Sequence, residues 1–252
     1  MILHIPHSSR LVPYQVRGQF VLSDEELELE LTRMTDAHTD EIFIAEGAAV
    51  VKFPVSRLIV DVERFANDAD EPMSKVGMGK IPTKTSQGKE LRPQLKPNEI
   101  SDLITEYYEP HHQALQAAVE GELMSRGRAL IIDCHSFPSQ PLPCDQDRTV
   151  PRPDFCLGTD LFHTPIKLAD LVVSELQKTE YKVDLNCPYS GAIVPMKFYG
   201  KNARVSSIMI EINRRLYMDE ATGGKIGRFY EIRDRIRGAL GKMVKLWHEL
   251  WI

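Results

Sequence analysis

Four apolar runs in this chain each stop in a polar cluster: HIPHSSR at residues 4–10, RLIVDVERF at 57–65, LIIDCHS at 130–136 and IMIEINRR at 208–215. Short apolar runs rich in β-branched residues read as buried strands. The segments between them carry helical periodicity. Such alternation predicts one α/β domain over residues 1–252, with a central mixed, largely parallel sheet and helices on both faces. Ligand sites in sheets of this kind lie beyond the carboxyl ends of the strands. The polar clusters are therefore where chemistry is expected.

The remaining elements follow from local signals. Ser23, followed by Glu26, opens a helix expected to run to Gly47. Strands are expected at AAVVKF (48–53) and RLIVDV (57–62), then a long Gly- and Pro-rich segment over 66–98 that covers the cleft. A helix over 97–127 is expected to bend at Pro110. Further strands are expected at RALIIDCHS (128–136), DFCLGTD (154–160), within 181–195, and from Val205. Helices are expected over 165–180 and 225–252.

The net charge of -5, without a long basic run, argues against nucleic acid or an anionic membrane as partner. No apolar run is long enough to cross a membrane, and the first residues lack the pattern of a signal peptide. Cys134, Cys144, Cys156 and Cys187 form no CxxC pair, so neither disulfides nor a cysteine zinc site are expected. These features predict a cytoplasmic protein; they leave its oligomeric state open.

Imidazole and carboxylate ligands suit zinc, which makes His7 and His135 candidate ligands of a divalent metal. Asp133, two residues before His135, is placed to hold the tautomer of that imidazole. A third, hard ligand is needed, and MTDAHTDEIF offers Asp36 and Asp40 one helical turn apart. Glu211 is placed to activate a water on the metal. Arg57, Arg64, Arg214 and Arg215 could grip carboxylates, with Asn213 or Tyr217 assisting, which implies an anionic substrate. Taken singly, each of these side chains also has an ordinary structural reading.

Seven motifs in order, IPHSSRLVP, DAHTDEIF, SRLIVDVERF, YYEPHHQAL, IIDCHSFPS, NCPYSGAIVP and IEINRRLYMDE, resemble those of the N-formylglutamate amidohydrolases. That family is similar to zinc carboxypeptidases and aspartoacylases and shares their α/β architecture. The resemblance implies zinc-dependent hydrolysis of an N-acyl amino acid, with release of formate and glutamate in histidine degradation. It implies His7 as first metal ligand, His135 as last, Glu211 as general base and Arg64 as the grip on the substrate's α-carboxylate. Zinc carboxypeptidases carry a glutamate three residues after the first histidine, but Arg10 stands there in this chain. Asp36 is taken as the missing ligand, with Asp40 behind it, and Asp133, Asp40 and Asp61 as the acids that support the ligands. The asparagine of the carboxylate-binding element is replaced by Glu63, which points to a rival reading: hydrolysis of a different N-acyl amino acid or a small peptide. A binding protein that captures an anion without catalysis is the second rival.

Overall fold

The structure is a computed structural model that describes residues 1–178 and 181–249. Six strands form one sheet: β1 (Ile2–Ile5), β2 (Ala49–Lys52), β3 (Ala129–Phe137), β4 (Phe155–Gly158), β5 (Val183–Leu185) and β6 (Val205–Asn213). Their order is β2-β1-β3-β6-β4-β5, and every adjacent pair is parallel except β4 with β6. The α-helices are α1 (Tyr14–Arg17), α2 (Asp24–Met34), α3 (Thr39–Ile42), α4 (Pro97–Leu103), α5 (Glu109–Arg126), α6 (Ile166–Gln177) and α7 (Phe229–Glu249). The expected mixed α/β architecture is present. The ends of two expected helices, Thr179–Glu180 and Leu250–Ile252, lie outside the described residues.

Side chains alternate across a strand, so each central strand feeds two cores. Leu130, Ile132 and Cys134 of β3 and Ile208, Ile210 and Ile212 of β6 pack beneath α3, α6 and α7. Ala129, Ile131 and Val205 face the other way, against Leu115 and Val119 of α5. Further along β3 and β6 this second row turns polar, with Asp133, His135 and Glu211 all buried. Burying three ionisable groups is costly unless they are paired, and that cost localises the chemistry.

A separate core forms one wall of the cleft. Leu27, Leu31 and Met34 of α2 pack on Phe53, Leu58, Ile59, Val60 and Val62, closed over by Met78 and Leu91 from the long irregular segment. The Ser23 cap is present: its hydroxyl accepts from Glu26 N at 3.2 Å and Glu26 reciprocates at 3.1 Å. Arg92 enters this wall fully buried, its guanidinium 4.5 Å from the Phe20 ring centre, and donates to the Leu58 carbonyl.

Three local expectations are corrected. RLIVDV is a run of turns, with Ile59 N donating to Ser56 O and Asp61 N to Lys80 O. Its apolar side chains are all buried, and a short buried run carries no periodicity that separates strand from compact turn. The first long helix stops at Met34, where Thr35 turns extended (φ −82°, ψ 135°), and the left-handed His38 (φ 66°) then keeps the short helix α3 separate from it. The bend expected at Pro110 is a π-helical turn over Ile104–Tyr108, between α4 and α5. A proline has no N–H to give to the carbonyl four residues back, and a wider turn accommodates that loss.

Candidate active site

The site gathers at the carboxyl ends of β1, β3 and β6. His7 lies two residues past β1, His135 near the end of β3, and the register sets His135 opposite Glu211 on β6. Asp36 arrives from the link after α2, where its backbone N–H donates to the His7 carbonyl at 2.9 Å. That bond ties the α2 wall to the end of β1 and brings the Asp36 carboxylate beside His7 and His135.

His7, Asp36 and His135 are buried, and one potential ligand atom from each lies within 4.8 Å of the others. Asp36 Oδ2 is 3.2 Å from His135 Nδ1 and 3.7 Å from His7 Nδ1. His7 Nδ1 is buried without a hydrogen-bond partner. The far nitrogen of each ring is anchored: His7 Nε2 to Asp61 Oδ1 at 2.8 Å, and His135 Nε2 to Asp133 Oδ1 at 2.9 Å. Arg214 Nη2 donates to Asp36 Oδ1 at 2.8 Å, which leaves Oδ2 facing the histidines. Two imidazoles and a carboxylate, each fixed from behind and converging from the front, fit a divalent cation such as zinc. Their unpaired atom, His7 Nδ1, is where a ligand bond would be made.

The electrostatics follow from burial and pairing. Burial works against the Asp36 carboxylate, but bonds from His135 and His7 and the charge of Arg214 hold it well below the usual range. Burial likewise opposes Asp61, which Arg57 and His7 keep ionised. Burial would neutralise His135, yet Asp133 and Asp36 raise it well above its ordinary value. Glu211 behaves differently: burial pushes its carboxyl up to about 8, and its Oε2 has no hydrogen-bond partner. An unpaired, proton-holding acid facing a cleft makes Glu211 a candidate for proton transfer.

Behind His135 runs a hydrogen-bonded chain that local sequence signals did not single out. Asp133 Oδ1 also pairs with His4 Nδ1 at 2.8 Å, and His4 Nε2 shares a hydrogen bond of 2.8 Å with His111 Nε2 on α5. Burial pushes His111 down to about 2, so it stays neutral and can serve as a hydrogen-bond partner. The available signal was His4, an imidazole inside an apolar strand two residues before Pro6. Glu63 Oε1 sits 3.2 Å from His4 Nδ1 without a hydrogen bond, and burial together with the Asp133 charge pushes this acid up to about 7.

The predicted substrate-binding residues separate into two groups. Arg57 forks onto Asp61 at 3.1 and 2.6 Å, and Arg214 is spent on Asp36, the Arg33 carbonyl and Ser136. Asn213 is fully buried, donating to Pro153 O and accepting from Arg215 N. Arg215 pairs with Asp154, and Tyr217 donates to Ala37 O. Asp40 pairs with Lys52 at 2.5 Å, apart from the His7, Asp36 and His135 group. Arg64 remains open, with only its Nε bonded, to Met78 O at 3.2 Å. Arg57, Arg64, Arg214, His7, His135 and Glu211 all line a cleft of about 370 Å³, which Glu71, Pro72, Met73 and Met78 of the long irregular segment help to enclose.

Comparison with known proteins bears on the fold and the family. The crystal structure of N-formylglutamate amidohydrolase from Ralstonia eutropha JMP134 superposes with a TM-score of 0.86 at 24% identity, over 97% of this chain and 92% of that one. The gene product Atu2144 from Agrobacterium tumefaciens gives a TM-score of 0.65 at 19% identity, over 97% of this chain and 88% of that one. At these identities the likeness speaks to the fold alone. No curated protein matches by sequence. The sequence pattern of the family described as N-formylglutamate amidohydrolase matches residues 1–218, most of the chain's length, and the chain therefore belongs to the N-formylglutamate amidohydrolase family.

Proposed function

We propose that this protein is a metal-dependent amidohydrolase that cleaves N-formyl-L-glutamate to formate and glutamate, the reaction that closes a route of histidine degradation. The observation that carries the reading is the convergence of His7, Asp36 and His135, with Glu211 beside His135 on the next strand. The family and the fold support the amide-hydrolysing part of it. Four free cysteines fit a reducing compartment such as the cytoplasm.

His7, Asp36 and His135 would hold the cation, which when bound supplies Lewis-acid polarisation of the scissile carbonyl and makes water a stronger acid. The remaining steps belong to side chains. Asp61 and Asp133 keep the two imidazoles in the ligating tautomer and orientation. Beside a dication the Glu211 carboxyl is drawn to its ionised form, so that it can act as base. It takes a proton from the attacking water as the water oxygen bonds to the carbonyl carbon. It returns that proton to the amide nitrogen as the C–N bond breaks, and the amine leaves neutral. Arg64, whose terminal nitrogens face the cleft without partners among the described residues, grips the α-carboxylate. In its neutral form Glu63 can donate a hydrogen bond to a carboxylate instead of repelling it.

The test is formate release from N-formylglutamate by zinc-loaded protein, with metal content measured alongside. Glu211→Gln is expected to lower kcat by roughly 10²- to 10⁴-fold, and His135→Ala to abolish metal retention. A protein that takes up no metal, or that hydrolyses the substrate equally well after both substitutions, refutes the mechanism.

A further inference from the structure

Four guanidinium groups line the cleft among the described residues: Arg33, Arg57, Arg64 and Arg214. Two are consumed internally, Arg57 by Asp61 and Arg214 by Asp36. The other two are not. Arg64 comes no closer to a carboxylate than 3.5 Å, at Asp61, which Arg57 already occupies. Arg33 comes no closer than 3.7 Å, at Glu30. Both Glu30 oxygens are taken, Oε1 by Ser86 N at 2.5 Å and Oε2 by Ser86 Oγ at 3.0 Å.

Arg33 and Arg64 also come from different elements. Arg33 is in the last turn of α2, and Arg64 follows the turns that carry Asp61. The Arg33 carbonyl accepts from Arg214 Nη1 at 2.5 Å, and Arg214 also holds Asp36. The Arg33 backbone is thus registered on the candidate metal centre, while its side chain, 41% exposed, remains unspent at the cleft. Two guanidinium groups from different elements, both lining the cleft and neither closer than 3.5 Å to a carboxylate, complement a ligand with two anionic ends.

We propose that Arg33 binds the second, side-chain carboxylate of the substrate while Arg64 holds the first, and so makes the site selective for dicarboxylic N-acyl amino acids. This rests on the reading of the site as an N-acyl amino acid hydrolase. A charge-assisted bond to a carboxylate is lost when that carboxylate becomes an amide or the arginine becomes apolar, and the two losses are not additive.

The experiment compares kcat/KM for N-formylglutamate and N-formylglutamine in the zinc-loaded wild type, Arg33→Met and Arg33→Lys. The expected result is a preference for N-formylglutamate in the wild type that falls roughly 10- to 100-fold in Arg33→Met, through KM more than kcat. Arg33→Lys, which keeps the charge, is expected to retain part of the preference. If the wild type hydrolyses N-formylglutamate and Arg33→Met leaves the ratio of the two substrates unchanged, the Arg33 assignment falls and the hydrolase reading stands. If the wild type hydrolyses neither substrate, both fall.

Discussion

Replacing Glu211 by Gln in the metal-free protein isolates the cost of the buried carboxyl. Folding moves this group from its ordinary 4.5 up to about 8, chiefly by burial, with the charges of Asp36 and Asp133 adding to the rise and those of His135 and Arg214 opposing it. Between those values the folded protein holds a proton that the unfolded chain has released. Stability must therefore fall as pH rises through the window, with a limiting slope of about 1.4 kcal/mol per pH unit. Below the window both states are protonated and the contribution is flat; above it both are ionised and the full cost is present. Glutamine has the same shape and does not titrate, so it removes the slope. Stability of Glu211→Gln relative to wild type should accordingly rise between pH 5 and pH 8, by up to about 4 kcal/mol. Glu63, pushed up to about 7, adds a slope of the same sign in both proteins that cancels in the difference. Urea unfolding in chelator, followed by circular dichroism at four pH values across this range, measures it. A stability difference that is the same at pH 5 and pH 8 would show that Glu211 is not a buried, proton-holding acid, and the reasoning would fail.

Other outcomes follow from particular contacts. Asp61→Ala removes the anchor of His7 Nε2 and the partner of Arg57, and should weaken zinc retention roughly 10- to 100-fold in competition with a chelator. Zinc at about a thousand times its dissociation constant should stabilise the protein by about 4 kcal/mol, read as a higher thermal midpoint that EDTA reverses. Ser23→Ala deletes one half of a reciprocal cap and should cost about 1 kcal/mol in urea unfolding, without affecting zinc retention. Gly158→Ala places a Cβ 2.2 Å from the Gly191 carbonyl oxygen, where backbone would have to move; a loss of about 2 kcal/mol or more is expected, and a thermal midpoint equal to wild type would contradict the packing.

Local signals in the chain determined much of this protein. The periods of the apolar runs set the alternation of helices and strands, and the polar ends of β1, β3 and β6 mark His7, His135 and Glu211 in the linear chain. Side-chain alternation also placed Asp133 on the same face as His135, with Cys134 packed on the other. Each of these is a short-range property of the backbone. RLIVDV escaped the same logic because complete burial erases the alternation that distinguishes a strand.

Pairing was decided only by the fold. Which acid would complete the centre depended on a backbone bond between residues 36 and 7 and on the left-handed His38 that turns the chain there. Asp40, four residues on, is drawn to Lys52 instead. The arginines show the same limit: Arg57, Arg64, Arg214 and Arg215 read alike as substrate clamps in a linear chain, yet tertiary contacts spend Arg57, Arg214 and Arg215 on carboxylates and leave Arg64 at the cleft, beside Arg33, which no local signal marked. His4 and His111 stand 107 positions apart and meet only when α5 covers the sheet. An ionisable side chain takes its role from the charge that faces it, and across such separations only the folded backbone determines which charge that is.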